Sequence, residues 1–219
     1  MKDPQTEVFN GVTFKTKRPP NGKPKAILVM IHGWTGSETS TWILTEGLSE
    51  DFMIIAPRGF HKVENHNGYS WADISLSQDE LWEEYQRSTH TLFTWLMAFL
   101  VDNDLVDLPL LLGGFSQGAM ISYYLMLLYP GRFRLASCLA GAIMPQAETL
   151  ITPERVRNAR FYIAHGTRDN IIPVHRARRA VQLLQQAGAD VTYCESDIGH
   201  KASPECYANL IRFLNNSLD

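Results

Sequence analysis

Gly114-Phe115-Ser116-Gln117-Gly118 fits G-x-S-x-G, in which a serine stands on a sharp turn between a strand and a helix. The chemistry open to such a serine is nucleophilic attack on a carbonyl carbon. The bare pentapeptide is equally an ordinary turn, so its flanks decide. Leu108 to Gly114 reads as a short buried strand, and Ala119 to Tyr129 as a buried helix ended by Pro130 and Gly131. At that turn the serine needs positive φ, and its neighbours two positions away must be small because strand and helix nearly touch. Gly114 and Gly118 meet the need. A helix beginning at Gln117 also aims its free N–H groups at the place where negative charge would form.

A serine hydroxyl is a weak nucleophile and needs a base; histidine suits, and a carboxylate must fix its tautomer. The chain order for this arrangement is Ser, acid, His. His32, His61, His66 and His90 precede Ser116 and have the wrong order. His165 closes a strand-like run and His175 opens a helical one, so both read as structural. His200 follows Gly199 beyond the last strand and before the last helix, where the base belongs. Asp169, in the loop from Gly166 to Pro173, is the expected acid; Asp190 and Asp197 read as surface turn residues. The oxyanion donors expected are the backbone N–H of Gln117 and that of Trp34, in His32-Gly33-Trp34-Thr35-Gly36.

Other patterns carry less. His61-x-x-Glu64-x-His66 lacks helical spacing and a further ligand, so no metal is expected. Asp79, Glu80, Glu83 and Glu84 suit the first turns of a helix through its dipole. Neither G-x-G-x-x-G nor a P-loop lysine is present, so no cofactor is implied. The net charge of −3 gives no case for nucleic acid, and the Arg176 to Arg179 run reads as a solvated helix face. The first residues lack an apolar leader, and Leu92 to Val101 is too short to span a bilayer, so no stable membrane association is expected. Cys138, Cys194 and Cys206 are odd in number and widely spaced, which disfavours a disulfide and points to the cytoplasm. The sequence leaves a homodimer open.

These residues need elements to position them. Apolar strand-length runs occur at Lys25–His32, Phe52–Ala56, Leu110–Phe115, Arg134–Ala140, Arg160–His165 and Val191–Glu195. Helical patterns fall between them at Thr41–Leu48, Ser77–Val101, Gln117–Leu128, Pro173–Ala187 and Pro204–Leu214, the second opened by a Ser77/Glu80 capping box. Strands apolar along their length and alternating with helices predict an α/β fold: a mainly parallel twisted sheet covered on both faces, within one domain over residues 1–219. Ligands then bind beyond the carboxyl ends of the strands, where the candidate residues fall. The long Pro57–Leu76 segment suggests one wall of a substrate cleft from Phe60, Tyr69, Trp71 and Ile74. Ile143, Met144, Ile171 and Ile172 are the candidates for the other wall.

With those residues in view, the chain resembles the phospholipase/carboxylesterase family of α/β-hydrolases, which includes small bacterial carboxylesterases and acyl-protein thioesterases. The resemblance runs from Ala26 to Leu214. It rests on His32-Gly33, on the 114–118 motif, on Ala140 to Pro145, on His165-Gly166-x-x-Asp169-x-x-x-Pro173, and on Gly199-His200-x-x-Ser203-Pro204-Glu205; Ser70-Trp71-Ala72-Asp73 also looks like a family segment. It departs at Gly36-Ser37-Glu38, where family members often carry Gly-Asp sooner after His-Gly. The resemblance implies an α/β-hydrolase fold, ester or thioester hydrolysis without a cofactor, and nucleophile, acid and base on Ser116, Asp169 and His200. The expected function is a serine carboxylesterase for small to medium acyl esters, with a small-molecule ester as partner. The absence of a large cap insertion speaks against a long-chain lipase. Alternatives are an acyl-thioesterase or lysophospholipase-type hydrolase, or a ligand-sensing or acyl-transferring protein on the same fold.

Overall fold

The computed structural model describes residues 4–218. An N-terminal antiparallel hairpin, β1 (Gln5–Phe9) and β2 (Val12–Lys17), leads into β3 (Ala26–Ile31), β4 (Phe52–Pro57) and a two-residue hairpin, β5 (His61–Lys62) with β6 (Tyr69–Ser70). Helix α1 (Gln78–Asp102), β7 (Leu110–Phe115), α2 (Gln117–Leu128), β8 (Leu135–Leu139) and the short α3 (Pro153–Val156) follow. The chain ends with β9 (Arg160–Gly166), α4 (Val174–Gln186), β10 (Asp190–Ser196) and α5 (Pro204–Asn215). The main sheet has eight strands in the order β1-β2-β4-β3-β7-β8-β9-β10. The β1–β2 and β2–β4 pairs are antiparallel and all others parallel.

Strand periodicity divides the core. In β3, Ile27, Val29 and Ile31 face the layer built by α1, α2 and α4, while Ala26, Leu28 and Met30 face the layer built by α5. Every residue of β3 and β4 is buried, as two covered faces require. Helix α1 starts at the Ser77/Glu80 capping box and lays Leu92, Leu96 and Phe99 on the sheet. No large cap insertion stands over the sheet among the described residues, and no described helix is long and apolar enough to cross a membrane.

Three expectations need correction. Thr41–Leu48 is not an α-helix but one 3₁₀ turn, Trp42–Thr45. Hydroxyls there bond local backbone instead of leaving it to a helix: the Ser37 N–H donates to Ser40 Oγ (2.8 Å) and Thr45 Oγ1 to the Trp42 carbonyl (2.8 Å), and Gly47 at φ +80° ends the run. Asp190 is the first residue of β10, paired with Arg160, and not a turn residue. Cys194 and Cys206 form a disulfide across Cα atoms 5.7 Å apart, leaving Cys138 free and buried. The bridge joins β10 to α5, elements that fold side by side although 12 residues separate their cysteines.

Candidate active site

The parallel strands β3, β7, β9 and β10 end at one rim of the sheet, and each is followed by part of the site. After β7, Ser116 adopts φ 55°, ψ −117°, a strained conformation, and serves as the cap residue of α2. Its N–H donates to Leu139 O at 2.8 Å, continuing the β7–β8 ladder to the turn itself. A Cβ on Gly118 would sit 2.0 Å from Ile31 O, and one on Gly114 2.3 Å from Gly118 O. Both glycines are therefore fixed by close backbone approach.

The structure brings Ser116, His200 and Asp169 together. Ser116 Oγ lies 2.9 Å from His200 Nε2, and His200 Nδ1 lies 2.7 Å from Asp169 Oδ2. A carboxylate oxygen accepts, so Nδ1 carries the ring proton and Nε2 is free to accept from the serine hydroxyl. Asp169 Oδ1 accepts from the N–H groups of Ile171 and Ile172, both at 2.9 Å. Burial pushes the Asp169 carboxyl up, but those N–H groups and His200 outweigh it and hold the carboxyl below its ordinary range. The loops carrying Asp169 and His200 are tied to each other: Thr167 N–H donates to Ser196 O and Arg168 N–H to Ile198 O, each at 2.9 Å. His165, read from sequence as structural, also reaches the carboxylate, with Nε2 3.3 Å from Asp169 Oδ2. His175 belongs to α4 and takes no part.

The loop after β3 turns tightly, with Gly36 N–H donating to Gly33 O at 3.0 Å and Thr35 at φ 61°. Trp34 and Gln117 both line the cleft beside Ser116. The hydrogen bonds among the described residues include none donated by the backbone N–H of either. The Gln117 side chain, which sequence reasoning left without a role, ties the nucleophile turn to the 70–72 segment: its Oε1 accepts from Trp71 N–H (2.8 Å) and Ser70 Oγ (3.1 Å). His32 braces the same loop. Its Nε2 accepts from Gly59 N–H (2.8 Å) and its Nδ1 donates to Gly33 O (2.7 Å), so the ring is the neutral Nδ1–H tautomer. Burial pushes the His32 pKa down to about 4. Glu38 takes a two-pronged bond from Arg58, 2.7 Å on each side, and Arg58 stacks over Tyr69.

A cleft of about 620 Å³ opens over Ser116 and His200. Of the predicted wall residues, Ile74, Ile171 and Ile172 line it. Phe60, Tyr69, Trp71, Ile143 and Met144 are not among its lining. Trp71 is fully buried, donates its indole N–H to His32 O (2.9 Å) and packs edge-on against Phe60. Tyr69 lies beneath Arg58, and Ile143 and Met144 are core residues. The aromatic residues of 60–71 therefore pack against the loop after β3 instead of lining the cleft. Tyr85 and Met120 line the cleft and were not foreseen. Met120 stands four residues after Ser116 on α2, so helical spacing already put it on the nucleophile's side. Among the described residues, no group of His, Cys, Asp and Glu is placed to hold a metal ion.

Comparison with known proteins agrees with this architecture. The phospholipase/carboxylesterase family profile matches residues 16–218. An acyl-protein thioesterase 1 from Emericella nidulans is 25% identical over 88% of this chain and 90% of its own length. Among solved structures, esterase PE8 superposes with a TM-score of 0.79 at 22% identity, covering 92% of this chain and 96% of that one. A carboxylesterase from Mesorhizobium loti does so with 0.79 at 21%, covering 97% and 99%. With nearly the whole chain inside the profile, the protein belongs to the phospholipase/carboxylesterase family and is a serine hydrolase of the α/β-hydrolase fold.

Proposed function

We propose that the protein is a carboxylesterase acting on small to medium acyl esters through an acyl-enzyme on Ser116. The observation that carries this reading is the unbroken relay from Ser116 Oγ to His200 (2.9 Å) to Asp169 (2.7 Å). His200 takes the hydroxyl proton as Oγ attacks the ester carbonyl. The N–H groups of Trp34 and Gln117, which have no acceptor among the described residues, hold the oxyanion. His200 then passes its proton to the departing alcohol, and water repeats the cycle on the acyl-enzyme. The cleft suits an uncharged acyl chain, since Ile74, Met120, Ile171 and Ile172 line it beside Ser116.

Thioester hydrolysis is the second reading, favoured by the acyl-protein thioesterase of Emericella nidulans that the chain resembles. A panel of matched oxygen and sulfur esters separates the two. Intact mass after fluorophosphonate treatment should show one adduct, absent in Ser116→Ala. A Ser116→Ala variant that hydrolyses esters at the parental rate removes the proposal.

A further inference from the structure

A second hollow adjoins the cleft. It encloses about 530 Å³ and is lined by Ile43, Leu44, Phe115, Ala202 and Tyr207 among others. Gly33, Ser40 and Phe115 line both cavities, so the two are neighbours across one shared edge. The second hollow is built and not incidental. The Tyr207 hydroxyl of α5 donates to Glu46 O at 2.6 Å, which fixes the 3₁₀ turn carrying Ile43 and Leu44 against the helix. Ile43 is 76% exposed at this hollow. Together Ile43, Leu44, Phe115 and Ala202 give the hollow a continuous apolar side.

The stereochemistry at Ser116 says which group. The tetrahedral carbon carries Ser116 Oγ, the oxyanion, the acyl chain and the alkoxy oxygen. The oxyanion points to the N–H groups of Trp34 and Gln117. The alkoxy oxygen must reach His200 Nε2, because that nitrogen delivers its proton. Phe115 lies edge-on to the His200 ring, 5.1 Å between centroids, and forms part of the shared edge. His200 lines the first cleft and not the hollow, so an acyl chain lying along Ile74, Met120 and Ile172 leaves the shared edge at Phe115 as the way for the alcohol arm into the hollow.

We infer that the hollow between the Trp42–Thr45 turn and the start of α5 binds the alcohol part of the ester, and that this part is an uncharged alkyl or aryl group. The inference rests on the ester-hydrolysis reading above and names its substrate class: esters apolar on both sides of the carbonyl. When the tetrahedral intermediate collapses, the bond from carbon to alkoxy oxygen breaks and the carbonyl re-forms. The Nε2 proton passes to that oxygen, and a neutral alcohol is released into the hollow. Lys201 and Glu46, of opposite charge, both line it, so the lining carries no net charge that would select a charged alcohol.

The test is kcat/KM for two ester series, because kcat/KM reports the steps up to the acyl-enzyme. One series keeps the butanoyl group and runs from methyl to hexyl alcohol; the other keeps the ethyl alcohol and varies the acyl chain. In the parent, the alcohol series should rise by about fourfold per methylene over its first members. Ala202→Phe, which fills the hollow, should cut the hexyl-to-methyl ratio by about tenfold and leave the acyl series unchanged. Ile43→Ser, at an exposed position, should lower the same ratio and stands in if Ala202→Phe fails to fold. Ile74→Ser should move the acyl series instead. A flat alcohol series in the parent, or hollow variants that shift the acyl series, overturns the inference while leaving the esterase reading in place. Absence of turnover for every ester, with Ser116 still labelled by a fluorophosphonate, overturns both.

Discussion

His165 Nε2 lies 3.3 Å from Asp169 Oδ2, the same oxygen that accepts from His200 Nδ1 at 2.7 Å. Asp169 is thus hydrogen-bonded by His200 and by two backbone N–H groups, with the His165 ring packed beside it and both the His165 and Asp169 side chains fully buried. His165 Nε2 also donates to Ile172 O at 2.7 Å, so the proton sits on that nitrogen and the ring cannot turn away from the carboxylate.

His165→Leu removes the bond to Ile172 O that seats the ring beside Asp169, and should lower kcat on the order of fivefold, the worth of one neutral hydrogen bond, with little change in KM. His165→Gln retains an N–H donor and should recover part of the loss. A merely structural role would lower thermal stability in both variants without separating their kcat values. Steady-state kinetics beside melting curves distinguish the outcomes.

Replacing Asp169 by Asn tests the tautomer argument. The amide can present N–H to His200 Nδ1, which moves the ring proton to Nε2 and leaves no acceptor for the serine hydroxyl. The expected fall in kcat is about 10⁴, with fold and KM nearly unchanged. A fall of less than tenfold would mean that Asp169 does not set the proton position.

The parts of this site that were legible in the sequence are those where chemistry restricts residue type. G-x-S-x-G marks a backbone that only Gly tolerates at its ends, and strands that end at one rim bring Ser116, Asp169 and His200 together from distant parts of the chain. Less legible was whatever depends on which way a loop side chain turns. Phe60, Tyr69 and Trp71 have a composition that serves a cleft or a packed loop equally, and only the Trp71 indole bond to His32 O decides it. The Cys194–Cys206 bridge was hidden for a related reason. Spacing alone does not say that β10 and α5 run side by side, and an odd cysteine count weighed against any pair.

Glu38 and Arg58 should behave as a unit. The Arg58 hydrogen bonds, more than any other factor, hold the buried Glu38 carboxyl below its ordinary range. Glu38→Gln should cost about 1–3 kcal/mol of stability. In a double-mutant cycle with Arg58→Met the coupling should be about 0.5–3 kcal/mol, discounted toward the lower end because the Arg58 side chain is partly exposed. Additive single losses would mean that the two side chains are not coupled.

His32 makes stability pH-dependent in a stated window. Its folded pKa, about 4, lies below the ordinary value of 6.5, so the unfolded chain binds the extra proton first as pH falls. Stability from this group is complete above pH 6.5 and drains away down to about pH 4, by roughly 3 kcal/mol in total. His32→Asn should be less stable at pH 7 and show a flatter decline over that window. Denaturant melts at half-unit pH steps read the slope directly; parallel curves for parent and variant would exclude His32 as the source.

The Cys194–Cys206 bridge closes the loop that carries His200, so reduction tests how much of the site depends on it. For a separation of 12 residues, the chain-entropy argument gives about 3 kcal/mol of stability. Local geometry has independent support: Asp169 holds His200, and the Thr167 and Arg168 N–H groups hold the loop's first residues. Reduction, or the Cys194→Ala/Cys206→Ala pair, should thus lower the melting temperature by several degrees while activity at 25 °C stays within about twofold. Inactivation on heating should then set in earlier for the reduced form. A large loss of kcat at 25 °C with unchanged melting would show instead that the disulfide itself sets the position of the base. The same comparison bears on the cell compartment: thiol titration at a cytosolic glutathione poise shows whether the bridge survives where disulfides are rare.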